Sequence, residues 1–389
     1  MHQLGPADIR RSNALACLSA LRATEAPVTI SELASVTELS RPTVEAVVAG
    51  FERRGTVVAA AASAGSSAGG RPARRYILDE MSALVAGIDA GPRNVRVLIS
   101  DLRGRVVSRA DATVRGTPTA VERLDVVTDT VRQALAASGA APDRLQASCT
   151  AVSGIIGDDG RLVDSFAVPE WNGTPIAKEV ARRFDCESLI ENDIKLAAYA
   201  EHHMGAARGI EDILFIQIGN RISLSQTFGG QIFQGAHRSA GEVGSLRGMR
   251  WTRTSVKGNL TWRTGPSGEH VLAAASAGDA EALEEVREFV TEIAPLLSTV
   301  ALVVDPARIV IGGGLSRAGE LFVDMLRDEI HRLIVLPAQP EVLASPLGSI
   351  GSAAGALALA FQRGSQRLFG IPDVPVPAIT MPADGQAVA

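Results

Sequence analysis

Apolar residues recur at helical intervals through the first part of the chain and predict three helices. The first spans residues 8–24, with apolar positions at Ala14, Leu15, Leu18 and Leu21. Thr29 and Glu32 form a capping box, in which two side chains bond free backbone N–H groups at the start of a second helix. Ser40 is a favourable N-cap for a third helix, whose buried stripe is Val44, Val47, Val48 and Phe51.

Two short apolar runs after the third helix predict a β-hairpin. Residues 55–59 and 75–78 have strand character, and the segment between them is rich in Ala, Ser and Gly as far as Gly70. Three helices followed by a hairpin make a winged helix-turn-helix, which we assign to residues 1–80. The composition of the hairpin tip predicts a segment that is mobile without a partner.

Beyond residue 80 the pattern changes to strands and helices, and it is repeated. One set of strands is predicted at 85–89, 95–99 and 106–108, and a second set at 213–218, 222–227 and 231–233. Two copies of a three-stranded meander predict a duplicated α/β domain with a ligand-binding cleft between two lobes.

The boundaries of this domain follow from the same pattern. We assign it to residues 81–369, with one lobe over roughly 81–205 plus the C-terminal helix and the other over roughly 206–350. Residues 370–389 are rich in Pro and Ala and are expected to form a disordered tail.

Composition narrows the class of protein. With 46% hydrophobic and 21% charged residues and no apolar run of transmembrane length, the chain is expected to be a cytoplasmic globular protein. Its N-terminus lacks the pattern of a signal peptide. Cys17, Cys149 and Cys186 are far apart and lack metal-ligand spacing, which favours buried free thiols.

Charge is unevenly distributed. The net charge of −5 argues against a protein coated in nucleic acid. Residues 40–75, however, hold six arginines against Glu45 and Glu52. This local basic segment coincides with the third helix and the wing, and it predicts a single nucleic-acid-facing module.

Six short motifs, in order along the chain, carry a resemblance to a known family. They are Glu32–Ala34 with Leu39–Val44, Gly70–Pro72, Asp89–Gly91, Glu191–Asp193 with Ala197–Ala198, Ala240–Gly244, and Gly312–Ser316. Through these motifs the chain resembles the ROK family (repressors, open reading frames, kinases), and specifically its repressor branch. The resemblance implies a winged helix-turn-helix followed by an actin-like, sugar-kinase-like domain of the ribonuclease H-like type.

The chain departs from the kinases of that family at both phosphate loops. Their first loop reads Asp-x-Gly-Gly-Thr, but here Pro92 replaces the second glycine and removes an N–H, and Arg93 replaces the threonine. Their second loop reads Gly-Thr-Gly and corresponds to Gly219-Asn220-Arg221. We therefore expect no kinase activity and no catalytic residues.

The family's zinc site is also absent from the sequence. Its cysteine-rich segment should follow Glu242, but residues 246–270 contain no cysteine, and Ser245 stands where the family usually has histidine. The arginines of this segment are expected to lie in a solvated loop, and no metal or other cofactor is expected.

The predicted DNA contacts lie on the third helix and the wing. Arg41 is expected to bond a phosphate or base edge, Ser40 and Thr43 to touch phosphate, and Pro42 to pack on a thymine methyl. Arg71 is expected to enter a narrow minor groove. The alternatives are a purely structural third helix and a solvated Arg71.

The predicted ligand contacts are Asn192, Asp193, Glu242, Trp171 and Ser153. In related kinases the residue that matches Asp193 is the general base, and here we expect it to accept ligand hydroxyls. Trp171 is a candidate wall of the sugar site, although tryptophan is more often a core residue. The competing interpretation makes Asn192, Asp193 and Glu242 packing and capping residues of a vestigial pocket, and for Gly312–Gly314 a tight structural turn is favoured over an anion site.

These expectations define a sequence-specific transcriptional regulator, more specifically a repressor. Its expected partners are a double-stranded DNA operator and a sugar or sugar derivative, and no association with a membrane is expected. The expected oligomeric state is a homodimer or a tetramer. Three alternatives remain open: an active carbohydrate kinase, a DNA-binding protein that senses no ligand, and a regulator controlled by a protein partner.

Overall fold

The computed structural model describes residues 5–60, 73–256 and 258–382. The N-terminal domain has three helices and a small antiparallel sheet of strand order β1-β3-β2. Its elements are α1 (Pro6–Ala23), β1 (Val28–Thr29), α2 (Ile30–Thr37), α3 (Arg41–Arg54), β2 (Val57–Ala59) and β3 (Arg75–Leu78). The winged helix predicted from the sequence is confirmed, and the two-residue strand β1 is an addition to it.

Local side-chain chemistry sets the helix ends of this domain. Thr29 accepts the N–H of Glu32, and the Glu32 carboxylate accepts the N–H of Thr29 at 2.6 Å, as the capping box predicts. Helix α3 ends at Gly55, whose φ of 77° lies in the left-handed region that favours glycine.

The first lobe is built on a five-stranded sheet of order β10-β7-β4-β5-β6. Its elements are β4 (Leu84–Ala90), β5 (Asn94–Ser100), β6 (Val106–Thr113), α4 (Ala120–Ala137), β7 (Leu145–Val152), β8 (Ile155–Ile156), β9 (Leu162–Asp164), α5 (Ile176–Phe184), β10 (Glu187–Asn192) and α6 (Asp193–Met204). Strands β4 to β6 form an antiparallel meander, and β7 and β10 add in parallel beside β4.

The second lobe repeats this topology in the order β13-β12-β11-β14-β15. Its elements are β11 (Ile213–Ile218), β12 (Ile222–Phe228), β13 (Gln231–Ile232), α7 (Gly268–Ser276), α8 (Ala280–Val304), β14 (Arg308–Gly312), α9 (Glu320–Leu333) and β15 (Glu341–Ala344). An antiparallel meander is again followed by two parallel strands. The duplication inferred from the apolar pattern is therefore confirmed.

Two C-terminal helices, α10 (Gly351–Arg363) and α11 (Ser365–Phe369), return the chain to the first lobe. Helix α10 packs on β4 and on α6 through small residues. A Cβ atom at Gly355 would collide with the carbonyl oxygen of Leu196, and one at Gly87 with that of Ala353. This close approach fixes α6, whose first turn faces the cleft, on the body of the first lobe.

Residues 370–382 are packed, which corrects the expectation of a disordered tail for this part of the chain. Ile371, Val374 and Ile379 are buried, and Thr380 pairs with the main chain of residues 104–106. A high Pro and Ala content hides a few spaced apolar residues, and these are sufficient to dock an extended segment. Residues 383–389 lie outside the described residues.

One hydrophobic core joins the winged helix to the first lobe. It runs from Leu18, Leu21 and Val44 through Leu102 to Phe369 and Ile371. The winged helix is consequently packed on this lobe rather than tethered to it. Cys17, Cys149 and Cys186 are buried free thiols, and no helix in the described ranges has the length and hydropathy of a membrane span.

Candidate functional site

The start of α3 presents an exposed group of polar residues. Ser40, Arg41 and Pro42 are exposed and Thr43 is half-buried, so four of the residues predicted to contact DNA lie together. The Ser40 hydroxyl accepts the N–H of Thr43 at 3.4 Å and lies 2.8 Å from the Thr43 hydroxyl. Ser40 therefore caps the helix, while the guanidinium of Arg41 has no hydrogen-bonding partner among the described residues.

Two arginines of the basic segment are held by carboxylates. Arg74 pairs with Glu52 at 2.6 Å and Arg75 with Glu32 at 3.3 Å. These pairs attach the wing to α3 and α2, and Glu32 adds a negative charge that the count over residues 40–75 does not include. Arg71 and the hairpin tip predicted to be mobile belong to residues 61–72, which lie outside the described residues.

Two adjoining cavities open between the lobes. The first, of about 600 Å³, is lined by residues 91–94, 219–221 and 312–314 and the start of α10, and we call it the glycine-loop cavity. The second, of about 790 Å³, is lined by Asp193 and Glu242 among others, and we call it the carboxylate cavity. Residues shared by both linings are Ser153, Asp193, Ile194, Arg221 and Ser223. The cleft is thus continuous from one cavity to the other.

Asp193 stands where the two cavities meet, at the first residue of α6. Burial, followed by the nearby carboxylate of Asp89, raises the pKa of Asp193 to about 7. Burial also raises the pKa of Asp89 to about 6, against the opposing effect of Arg96 at 3.2 Å. Carboxyl groups that titrate near neutral pH can both accept from and donate to ligand hydroxyls.

The side-chain oxygen and nitrogen of Asn192 form hydrogen bonds with main-chain groups of the protein. Its Oδ1 accepts the N–H groups of Ile194 and Lys195 at 2.9 and 3.0 Å, and its Nδ2 donates to the carbonyl of Gly154 at 2.9 Å. The residue is the N-cap of α6, a role that its position before a helical run already indicated. These contacts favour the capping interpretation for Asn192, although it also lines the carboxylate cavity.

Glu242 reaches the same cavity from the second lobe. It is half-buried, and burial raises its pKa against the opposing charge of Lys195. Asp193 and Glu242 therefore line the carboxylate cavity from the two lobes. Ser153 also lines it, and its carbonyl accepts a hydrogen bond from the Ser165 hydroxyl at 2.6 Å.

Trp171 is a core residue, which corrects its proposed role as a wall of the ligand site. Its side chain is fully buried in the first lobe, and its Nε1 donates to the carbonyl of Ala120 at 2.9 Å. The guanidinium of Arg123 lies 5.6 Å from the ring. The indole ring is packed in the core and its N–H is hydrogen-bonded, and the residue lines neither cavity.

A buried polar network that sequence reasoning missed links the two lobes beside the cleft. The Glu191 carboxylate accepts from Arg238 at 3.2 Å and from the amide of Gln234. Lys195 donates to the Gln234 side chain and to the Arg238 carbonyl, each at 2.7 Å. Because the partners are more than 38 residues apart, no local spacing in the sequence signals the network.

Comparison with known proteins decides the family. Residues 85–250 and 247–363 match the ROK family, and residues 12–60 match the IclR helix-turn-helix domain. The chain belongs to the ROK family. Its two-lobed domain therefore has the sugar-kinase-like fold, and the helix-turn-helix precedes it.

Three similar proteins show how the ROK match extends along the chain. The xylose repressor of Bacillus subtilis is 20% identical over 348 residues, which cover 85% of this chain and 90% of the repressor. A solved structure of a ROK family transcriptional regulator, a homologue of the E. coli MLC protein, covers 93% of this chain and 97% of that one, with a TM-score of 0.70 and 16% identity. The bifunctional enzyme NanE/NanK of Brucella melitensis is 28% identical over 235 residues, 56% of this chain, and the match spans only 44% of that enzyme.

The loops that the resemblance places at the phosphate site line the glycine-loop cavity. Pro92, Arg93, Asn220 and Arg221 are exposed at the glycine-loop cavity. At the third loop, Gly313 has a φ of 94°, and a Cβ there would collide with the Ile218 carbonyl. This geometry supports the interpretation of Gly312–Gly314 as a tight structural turn.

The segment after Glu242, where the resemblance would place a zinc site, is held by packing and by carboxylates. Trp251 and Leu260 are buried in the core of the second lobe. Glu285 accepts the N–H groups of Arg263 and Thr264, and Glu292 accepts that of Arg253. Among the described residues, no group of three or more His, Cys, Asp or Glu side chains is arranged to hold a metal ion.

Proposed function

We propose that this ROK protein is a sequence-specific DNA-binding transcriptional repressor that senses a sugar or sugar derivative in its interlobe cleft and has no kinase activity. The single observation that carries the proposal is the common core, from Leu21 and Val44 to Phe369, that joins a winged helix to a ligand-sized cleft. A rigid connection of this kind makes DNA affinity sensitive to the state of the cleft.

The N-terminus of α3 is suited to enter the major groove. Arg41 is exposed and without a protein partner, and the first turn of α3 bears no acidic residue. A guanidinium at this end of a recognition helix can bond guanine in two places or a backbone phosphate. Helix-turn-helix proteins read paired half-sites as dimers, so we propose a homo-oligomer and a palindromic operator. The similarity to the B. subtilis protein named as a xylose repressor supports a role in repression.

The carboxylate cavity suits a hydroxylated ligand. Asp193 and Glu242 supply carboxyl groups from the two lobes, and Ser153 borders the same space. A carboxylate that accepts ligand hydroxyls is a strong anchor, because hydrogen bonds to a charged group exceed those between neutral groups. A ligand held by both lobes favours the closed arrangement of the cleft.

The first lobe would transmit the movement of cleft closure to the DNA-binding domain. Arg103 of that lobe bonds the last turn of α1, and Arg22 of α1 bonds the carbonyls of Leu102 and Pro375. The winged helix is therefore expected to move with the first lobe. In a dimer held through the second lobes, a change of lobe angle would alter the spacing of the two α3 helices.

The alternative function is that of a carbohydrate kinase, because the chain is similar to the NanE/NanK enzyme. Loss of the N–H at Pro92 and the arginines at positions 93 and 221 argue against a nucleotide phosphate grip. A coupled assay of ATP consumption over a sugar panel tests this point. Turnover with any sugar above the background of the Asp193→Asn variant would establish the kinase.

The experiment for the proposed function is selection of bound sequences from random DNA, followed by titration of the selected operator. We expect a palindromic site bound at least about a thousandfold more tightly than unrelated DNA. A sugar panel should then contain a compound that weakens this binding in the wild type but not in Asp193→Asn. Failure to select any sequence would refute the function, and an operator response that survives in Asp193→Asn would place the sensing site elsewhere.

A further inference from the structure

Apolar side chains from both lobes line the carboxylate cavity and are left exposed to solvent. Phe166 of the first lobe is 83% exposed and Leu246 of the second lobe is 67% exposed, and both belong to the lining. Asp193 and Glu242 of the same lining are half-buried and therefore lie deeper. The cavity thus combines a carboxyl-bearing interior with an apolar rim, a name that we use for Phe166 and Leu246.

Phe166 is presented by a loop that is anchored on both sides of it. The hydroxyl of Ser165 donates to the carbonyl of Ser153 at 2.6 Å and accepts the N–H of Val168 at 3.0 Å. Ser165 and Val168 are both buried, whereas the phenyl ring between them is not. The position of the ring is consequently set by the fold, and Ser153, which holds the loop, borders the same cavity.

Leu246 belongs to the same turn as Glu242. Its N–H donates to the carbonyl of Val243 at 3.2 Å and closes a short 3-10 turn that Glu242 begins. Its carbonyl accepts the N–H of Met249 at 3.0 Å, and Met249 packs on the core of the second lobe. One anchored turn therefore places a carboxyl group and an apolar side chain, four residues apart, on the lining of one cavity.

Other exposed apolar side chains have a different setting. Val36, Leu302 and Val335 are exposed, and they line neither cavity. Single exposed apolar residues of this kind are normal on protein surfaces. Phe166 and Leu246 instead lie beside groups suited to ligand hydroxyls, and apolar walls with a few polar groups are typical of small-molecule sites.

The carboxylate cavity can hold a ligand larger than one sugar ring. Its volume of about 790 Å³ lies in the upper half of the range of roughly 300–1,000 Å³ found for sites that enclose drug-sized molecules. The phenyl and isobutyl groups of the apolar rim form no hydrogen bonds, so they favour an apolar group over a second hydroxylated ring.

We infer that the apolar rim binds an aryl or alkyl substituent of the same ligand whose hydroxyls bond Asp193 and Glu242. The inference rests on the proposed sugar-sensing function and specifies the chemical class of the effector as a glycoside with an apolar aglycone. The carboxyl groups select the sugar, because hydrogen bonds are directional, and the rim selects for an apolar group rather than for an exact shape.

The arrangement also gives the aglycone a role in closure of the cleft. Phe166 and Leu246 belong to different lobes, so an apolar group that contacts both removes more of their surface from water when the lobes approach one another. A sugar without an aglycone lacks this contribution. It should therefore be the weaker effector of operator binding.

The test uses the full chain with Phe166→Ala, Leu246→Ala and the double variant. Val163→Ala and Leu336→Ala are the matched controls, because these two residues are exposed and line neither cavity. The probes are paired methyl and phenyl glycosides of hexoses, pentoses and N-acetylhexosamines, titrated calorimetrically. For at least one sugar we expect the phenyl glycoside to bind at least about tenfold more tightly than the methyl glycoside in the wild type and both controls. This ratio should fall towards one in the double variant.

Equal binding of methyl and phenyl glycosides by the wild type overturns the inference and leaves the sensing function standing. A preference for phenyl glycosides that persists in the double variant also overturns it, as does a disaccharide that binds as tightly as the phenyl glycoside of its first sugar. A change of oligomeric state in the double variant, measured by sedimentation, would assign the rim to a contact between copies of the chain. Absence of binding by every glycoside, in protein shown separately to bind its operator, overturns both the sensing function and the inference.

Discussion

Arg103 donates to the carbonyl oxygen of Arg22 at 2.7 Å, so that a turn of the first lobe closes the C-terminal end of the first helix of the DNA-binding domain. The same guanidinium bonds the Leu21 carbonyl and pairs with Glu80, and its side chain is only 4% exposed. A cation at this position satisfies carbonyls that the helix leaves free and complements its dipole.

Removal of this guanidinium should destabilise the protein and loosen the joint. We predict that Arg103→Met lowers the free energy of unfolding by about 2–4 kcal/mol, because two main-chain carbonyls lose the buried guanidinium that bonds them and Glu80 keeps only Arg105. Urea denaturation measures the change. Arg109→Met, at a half-exposed pair with Asp111, is the control and should cost under about 1 kcal/mol. Equal losses in the two variants would mean that Arg103 does not hold the joint.

Docking of residues 370–382 makes a second prediction about the same joint. Ile371 is 5% exposed and belongs to the core shared by the winged helix and the first lobe. Ile371→Ala should lower the free energy of unfolding by about 2–4 kcal/mol, because it removes buried methylene groups and leaves a cavity. Val163→Ala, at a position 58% exposed, should change it by less than about 0.5 kcal/mol. A neutral Ile371→Ala would show that this segment is not packed in solution.

Arg41→Ala should weaken operator binding and leave the fold intact, because the side chain is exposed and unpaired. Loss of a base contact would reduce discrimination by about 1–3 kcal/mol, whereas loss of a phosphate contact would lower the slope of binding against log salt by about one unit. Fluorescence anisotropy at several salt concentrations separates the two. Arg132→Ala on α4 should behave as the wild type. Unchanged affinity and salt slope in Arg41→Ala would remove α3 from the DNA interface. Arg71→Ala tests the wing in the same assay.

How far the sequence alone predicts this protein depends on the range of the interaction concerned. The helices of the winged domain and the duplicated meanders follow from apolar periodicity and from capping pairs such as Thr29 and Glu32, which are three residues apart. Packing across the chain has no such signal. A tryptophan can line a pocket or fill a core, and the sequence does not distinguish the two roles for Trp171. The hydrogen bond of its indole N–H to Ala120 shows that it belongs to the core.

The candidate site divides in the same way. Asp193 and Glu242 were placed by motifs, and both reach the cleft. The N-cap role of Asn192 was readable, because asparagine directly precedes a helix there. The pairing of Glu191 with Arg238 has no such signal, since the two residues are 47 positions apart and belong to different lobes. Docking of Ile371 and Val374 has no signal in the sequence, because isolated apolar residues in a segment rich in Pro and Ala show no periodicity.

The raised pKa of Asp193 predicts how stability depends on pH. Burial and Asp89 raise the folded pKa from 3.8 to about 7, so the unfolded chain releases this proton first as pH rises. The stability associated with the neutral carboxyl is complete below about pH 4 and is lost as pH rises towards 7. Relative to Asp193→Asn, the wild type should lose up to about 1.4 kcal/mol per pH unit across this interval.

Urea denaturation of both proteins between pH 4 and pH 8 measures this difference. Asp158→Asn, at a carboxylate whose side chain is 93% exposed, is the control and should follow the wild type throughout. A constant difference between wild type and Asp193→Asn over the whole range would mean that Asp193 titrates at its ordinary pKa and is well solvated.

The segment that replaces the zinc site should be independent of metal. Purified protein is expected to carry no stoichiometric zinc, and treatment with EDTA should leave its thermal midpoint unchanged, because Trp251 and Glu285 already hold the described part of this segment. Glu285→Gln keeps the size of the side chain but weakens its bonds to two N–H groups and to the Thr264 hydroxyl, and it should lower the free energy of unfolding by about 1–3 kcal/mol. Glu284→Gln, the neighbouring exposed residue on α8, is the control and should be near neutral. Elemental analysis that finds one tightly held zinc per chain, together with destabilisation by EDTA, would show that a metal and not these contacts fixes the segment.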